Sequence, residues 1–287
     1  MPSNHKPAKA QGRSRAAAAV VVVVVALVIG FLAIRNSPVH QRPTLCTAGS
    51  GSGALELTVG QAGIASTIAG VASSRSMPPR AVAIAYATAL QESKLTDPDY
   101  GDRDSVGVFQ QRPSEGWGTP KQIENPVYAS SRFFAALAAV PRYEHLPIYA
   151  AAQAVQHSAD GSAYGQYATM GKQLADAFTG TKPHDVWCSY GSPGHRVKLA
   201  AASEALNSAF GKLHQSKAGD PATTVRVGSA QQGWAVAAWL LSHASTYGVT
   251  NVRFGGFAWQ ANKGTGHWVK LPASARTPAD ANAVVFG

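Results

Sequence analysis

Cysteine is nearly absent from this chain: there are two, Cys46 and Cys188. Neither belongs to a cysteine–histidine pattern of the kind that supports a catalytic thiolate. Nine histidines are present, but none falls at a paired metal-ligand spacing. No metal and no cofactor is therefore expected. Acidic residues are scarce, 15 against 25 lysines and arginines. One segment, residues 80–94, lacks glycine and proline altogether in a chain otherwise rich in both.

Charge is also missing from residues 16–34, an apolar run of nineteen that includes six consecutive valines. That length suits a membrane-spanning helix. Residues 1–15 carry Lys6, Lys9, Arg13 and Arg15 and no acid, which keeps this tail on the cytoplasmic side. A cleaved signal peptide is the competing reading. No clean small-x-small cleavage site follows Ile34, so an uncleaved single-pass anchor is favoured, with everything after Arg35 outside the cytoplasm.

That topology argues against nucleic acid as a partner. Four of the 25 basic residues sit in the tail, leaving 21 against 15 acids outside. So modest a balance decides nothing. In an oxidising compartment an even cysteine count suggests a Cys46–Cys188 disulfide. The alternative is a pair of buried thiols.

What the chain does contain is a carboxylate in an informative place. Pro78-Pro79 can open a helix, and the alanine-rich stretch that follows can sustain it. Val82, Ala85, Tyr86, Ala89 and Glu92 lie at three- and four-residue steps and share one face. Glu92 thus continues an apolar stripe at the end of the helix. Burial and the negative end of a helix both favour the neutral form of a carboxylic acid. A general acid for glycoside cleavage needs that form.

Residues 97–104 read as a polar turn-rich loop. Ser105, Gly107, Val108, Gln110 and Gln111 follow. Glutamine amides can donate to and accept from sugar hydroxyls and acetamido groups, and Gly107 lets backbone approach a ligand. Taken singly, each motif has a plainer reading: Glu92 as a helix-end surface carboxylate near Lys94, and Gly107 as a turn with exposed glutamines.

The order Glu92-Ser93, Gly101-Asp102-Arg103, Gly107-Val108-Phe109-Gln110 resembles the goose-type lysozyme and lytic transglycosylase group. The resemblance covers residues 57–181, under half of the chain. It implies a mainly helical lysozyme-like fold and cleavage of peptidoglycan glycan strands. It also implies Glu92 as catalytic acid, Ser93 as its companion and Gly107–Gln110 as a substrate-cleft motif. Asp102 matches an aspartate thought to help position water. Two departures stand out. Arg112 occupies the place of a further expected aspartate, and the family's Ala-Tyr-Asn motif is reduced to Ala154-Val155-Gln156. Gln156 is a candidate sugar contact or a surface helix glutamine.

The expected organisation is a tail (1–15), an anchor (16–34), a Pro/Ser/Gly-rich linker (35–56), a mainly α lysozyme-like domain (57–190) and a small α+β domain (195–287). Helices are expected near 57–72, 80–94, 126–140, 147–158, 164–178, 196–210 and 231–247. Strands are expected at 223–227, 249–254 and 267–271. Phe133, Leu137 and Val140 read as core, and so do Tyr164 and Tyr167 in preference to a sugar groove. Trp234, Trp239, Trp259 and Trp268 are the core of the second domain or a carbohydrate-binding face, with core favoured.

The leading expectation is a membrane-anchored enzyme cutting between N-acetylmuramic acid and N-acetylglucosamine, a lytic transglycosylase in preference to a hydrolase. The alternative is a non-catalytic wall-binding or scaffold protein, for instance of a secretion or conjugation apparatus.

Overall fold

The computed structural model describes residues 23–32, 44–157, 161–191, 197–218, 222–261, 266–276 and 282–287. The chain divides into two compact units, 1–43 and 44–287. In the first, residues 23–32 form a helix, α1, with exposed side chains. Among the described residues no helix is long and apolar enough to cross a membrane. The rest of the 16–34 run, the basic tail and residues 35–43 of the expected linker lie outside the described residues, whereas residues 44–56 of that linker are built into the fold as strands and a 3-10 turn.

The second unit is mainly helical with two small sheets. It opens with β1 (Leu45–Ala48) and β2 (Leu55–Leu57), which pair antiparallel. Helix α2 (Val59–Ser74) starts at a capping box: Thr58 accepts from the Gln61 backbone and Gln61 reaches back to Thr58. That arrangement satisfies two otherwise orphaned donors. Helix α3 (Pro79–Ser93) has its proline in the first turn, where no amide hydrogen is needed.

Helices α4 (Pro120–Ile123), α5 (Pro126–Ala139) and α6 (Ile148–Gln156) follow, the second capped by Asn125. A 3-10 segment, Gly161–Tyr167, leads into α7 (Ala168–Phe178). Helix α7 packs along α3 more closely than larger side chains would permit. A Cβ placed on Gly171 would lie 2.6 Å from the Ala83 carbonyl. The alanines that make α3 a good helix thus also make it a smooth surface for its neighbour.

Strand β3 (Val186–Ser189) returns to pair with β1, giving the sheet order β2-β1-β3. Cys46 and Cys188 face each other in this register and form a disulfide. Helix α8 (Leu199–Phe210), strands β4 (Gln215–Lys217) and β5 (Thr223–Arg226), helix α9 (Ala230–Ser242) and the short α10 (Ala244–Tyr247) come next. Strands β6 (Asn251–Phe254), β7 (Phe257–Gln260), β8 (Val269–Lys270) and β9 (Ala283–Phe286) complete an antiparallel sheet of order β4-β5-β9-β6-β7-β8.

One continuous hydrophobic cluster runs from Cys46 to Phe286. Near the C-terminal end of α3 it contains the stacked pair Phe109 and Phe133, with ring centroids 4.5 Å apart. Both rings are fully buried, each worth about 1.5–3 kcal/mol of transfer free energy. Trp234, Trp239 and Trp259 are buried, and Trp268 packs partly buried against the same cluster. Trp259 Nε1 donates to the Cys188 carbonyl at 2.9 Å and Trp268 Nε1 to Val186 at 2.7 Å. Their indoles thereby join the C-terminal sheet to β3. Residues 192–196, around the expected domain boundary, lie outside the described residues.

Candidate active site

The site forms where α3 ends. Lys94 and Leu95 both take left-handed backbone conformations, with φ 56° and 59°. The chain therefore turns sharply just after Glu92-Ser93. Leu95 is fully buried and pins the turn, and its amide donates to the Ala89 carbonyl at 3.0 Å. Gln61 Nε2 donates to the Lys94 carbonyl at 2.9 Å, tying α2 to the same corner.

Glu92 is half-buried. Its Oε1 accepts a hydrogen bond from Tyr164 Oη at 2.6 Å and another from Gln156 Nε2 at 3.2 Å. Tyr164 comes from the 3-10 segment before α7 and is 2 % exposed. Gln156 is the last residue of α6. Its Nε2 also donates to the Phe109 carbonyl at 2.7 Å, while its Oε1 is buried without a partner. One carboxylate oxygen is thus fixed by a phenol and an amide from two different elements. Two donors from separate elements hold both the rotamer and the direction in which the other oxygen faces.

Ser93 serves the framework. Its Oγ donates to the Val108 carbonyl at 2.8 Å and accepts from the Thr96 amide at 3.2 Å. Gly107 has φ +76°, and a Cβ there would meet the Ile123 carbonyl at 2.7 Å, so glycine is required on both counts. Val108 and Phe109 are fully buried.

Ser105 Oγ donates to Gln110 Oε1 at 3.0 Å, and Gln110 Nε2 donates to the carbonyls of Tyr100 and Gly107. The Gln110 amide therefore braces its own loop. Gln111 is 1 % exposed and donates to the Ala129 carbonyl at 3.3 Å, which places its side chain in the interior. Asp102 is exposed; its carbonyl, not its carboxylate, caps the turn by accepting from Ser105.

Two further carboxylates shape this loop. Asp97 is half-buried, and burial pushes its carboxyl up to about 6, with the Glu124 charge adding to the shift and the Val108 amide opposing it. Asp104 accepts from the Ser114 amide at 2.8 Å and pairs with Arg112 at 2.9 Å. These bonds, that of the Ser114 amide foremost, hold its carboxyl at about 2. Arg112 also pairs with Glu115, so the residue standing where an aspartate was expected is the hub of an ion cluster.

Compared with known proteins, the chain matches no family model and no curated protein.

Among the described residues no group of three histidine, cysteine, aspartate or glutamate side chains is placed to hold a metal. What the corner at Glu92 can do is transfer a proton: a half-buried carboxyl, its orientation fixed, beside a backbone carbonyl and an unpartnered amide oxygen. Sequence reasoning brought Glu92, Ser93, Gln156 and the 105–111 loop to one place. Tyr164 is a buried core residue, as expected; its bond to Glu92 has no signal in a lone tyrosine 72 positions downstream. Asp97 carried no signal either, since its character comes from burial.

Proposed function

We propose that this protein cleaves the β-1,4 bond between N-acetylmuramic acid and N-acetylglucosamine in peptidoglycan, acting as a lytic transglycosylase. The observation that carries the reading is the grip of Tyr164 and Gln156 on Glu92 at the end of α3. A positioned carboxylic acid is what glycoside cleavage requires. In the first step Glu92 gives its proton to the glycosidic oxygen as the bond from that oxygen to the muramyl C1 breaks. In the second, the carboxylate takes the proton of the muramyl 6-hydroxyl, whose oxygen closes onto C1. The products are a 1,6-anhydro sugar and a free 4-hydroxyl, and Glu92 ends as it began.

The exposure of Asp102 supports the lyase over the hydrolase. A hydrolase that inverts needs a second carboxylate about 6.5–9.5 Å from the first to activate water, and Arg112, engaged by two acids, cannot serve as that base. In this reading residues 16–34 anchor the chain in the cell membrane, with the tail cytoplasmic and the 44–287 unit facing the wall.

A zymogram on purified cell wall with the full chain in detergent tests the activity, and mass spectrometry of the digest tests the chemistry. Anhydro ends and hydrated reducing ends differ by one water. A predominance of reducing ends that is lost on Asp102→Asn makes the protein a hydrolase, and a clear zymogram failure leaves a wall-binding scaffold. A reporter fused after Gly287 and active only outside the cytoplasm is the expected result for the topology.

A further inference from the structure

Charge is divided unevenly along the folded unit. Residues 44–190 hold ten lysines and arginines against twelve acids, whereas residues 191–287 hold nine against three. The half that carries Glu92 is close to balanced, and the cationic excess belongs to the C-terminal half. Asymmetry of this kind within one chain points to a polyanionic partner.

The fold carries cations to both edges of the six-stranded sheet, which are β4 and β8. At the first edge the Arg226 amide donates to the His214 carbonyl at 2.9 Å, so the β4–β5 ladder extends past the start of β4. Lys212, Lys217 and Arg226 are all exposed there. At the second edge Lys270 and Arg276 are exposed, and Arg276 Nε donates to the Leu271 carbonyl at 2.9 Å, which keeps it beside β8. Among the described residues none of these five cations has a carboxylate within ion-pair distance. In the other half, Arg112 and Lys182 are paired with acids. Lysine on an edge strand also discourages pairing between sheets, but Arg226 lies on the second strand and Arg276 beyond the sheet.

That placement selects among polyanions. Five strand spacings separate the two edges, about 24 Å. A flat bilayer surface meets one side of such a module, whereas a long flexible chain can follow both edges. We infer that residues 191–287 bind a linear phosphodiester polymer of the cell wall, with Lys212, Lys217 and Arg226 at one edge and Lys270 and Arg276 at the other contacting its phosphates. The inference takes from the proposed function only that the 44–287 unit faces the wall. It gives the C-terminal half a task separate from the chemistry at Glu92, that of holding the chain where anionic polymer runs among the glycan strands.

Fluorescence anisotropy of labelled poly(glycerol phosphate), titrated with the full chain in non-ionic detergent, tests this without turnover. Affinity should fall steeply with added salt, because each phosphate contact releases counterions. Lys212→Gln/Lys217→Gln/Arg226→Gln should weaken binding by about tenfold or more and flatten the slope of log K against log salt by about 2, at roughly 0.7 per contact. Lys270→Gln/Arg276→Gln should flatten it by about 1.4 on the same scale. Lys121→Gln/Arg142→Gln/Lys172→Gln removes three charges from exposed positions of the balanced half. That control should stay within about twofold of the parent, because its cations lie off the sheet edges.

An equal loss in the two triple variants would show a response to net charge and not to these edges, and would overturn the inference. So would unchanged affinity in both edge variants. An edge contrast found with phosphatidylglycerol in mixed micelles or with duplex DNA, and absent with the polymer, would overturn it in favour of that partner. Failed wall cleavage with the edge contrast intact sinks the lytic reading and leaves a wall-polymer-binding protein. Intact cleavage without the contrast sinks this inference alone.

Discussion

Tyr164 Oη lies 2.6 Å from Glu92 Oε1, joining residues 72 positions apart in the chain. The phenol is buried and the carboxyl half-buried, so the bond is shielded from competing water and defines where the acid points. The predictions on activity follow from it.

Glu92→Gln should abolish wall cleavage, a loss of about two to four orders of magnitude for a general acid. The amide oxygen can still accept from Tyr164, so circular dichroism and thermal melting should change little. Cleavage at near parental rate in a folded Glu92→Gln protein excludes Glu92 as the acid.

Tyr164→Phe tests the grip itself. Losing the bond that fixes the direction of the acid should lower kcat about two- to tenfold, in line with roughly 0.5–1.5 kcal/mol. KM should hold, because the phenol is buried and does not reach substrate. A raised KM with unchanged kcat would place Tyr164 in the cleft wall and not behind the acid.

Acid sensitivity should contain two opposed contributions. Burial lowers the His243 imidazole from 6.5 to about 4, with the Trp239 carbonyl opposing the shift. Between those values the unfolded chain binds the proton that the folded one refuses, so stability falls as pH drops through this window. Asp97 behaves oppositely: its carboxyl is raised from 3.8 to about 6. Between those values the folded chain keeps a proton the unfolded one releases, and stability falls as pH rises. Denaturant midpoints measured across this range should therefore rise more steeply with pH in Asp97→Asn. In His243→Phe they should decline toward pH 6. Parallel profiles for both variants and the parent would refute both assignments.

The Cys46–Cys188 bridge closes a span of 142 residues. In the chain-entropy account, opening it should cost about 4–5 kcal/mol. Because the two cysteines are register partners in β1 and β3, the loss should appear as earlier unfolding of the whole 44–287 unit. A Cys46→Ala/Cys188→Ala chain melting within a degree or so of the parent would show that sheet and indole contacts suffice.

Gly107→Ala should fold poorly. Its φ of +76° disfavours any side chain, and the added Cβ would lie 2.7 Å from the Ile123 carbonyl. A loss of about 1–3 kcal/mol is expected from the backbone conformation alone, readable as a lower denaturant midpoint.

The long helices were legible because their signals are local. Pro79 in a first turn, the Asn125-Pro126 cap and start, and the three- and four-residue spacing of apolar residues required no knowledge of the rest of the chain. Observed bounds differ from expectation by a few residues, chiefly at 164–178, where the first part is a 3-10 segment. Strands β1, β2, β3, β4, β7 and β9 were not anticipated. Each is three or four residues long, too short for an alternating pattern to stand out, and β1, β3 and β9 pair with strands distant in sequence.

The site divides in the same way. Sequence alone determined that an acid ends an apolar helix and that a glycine-led, amide-bearing loop follows it, because helix periodicity and turn chemistry act over a few residues. It also supplied two cysteines that could pair. Only the tertiary structure decided what those residues do. It turned Gln111 inward to Ala129, set Gln110 to bracing its own loop, left Asp102 exposed and brought Tyr164 onto Glu92. The reason is physical: a side chain's role depends on which donors, charges and apolar surfaces surround it, and packing of the whole chain creates those surroundings.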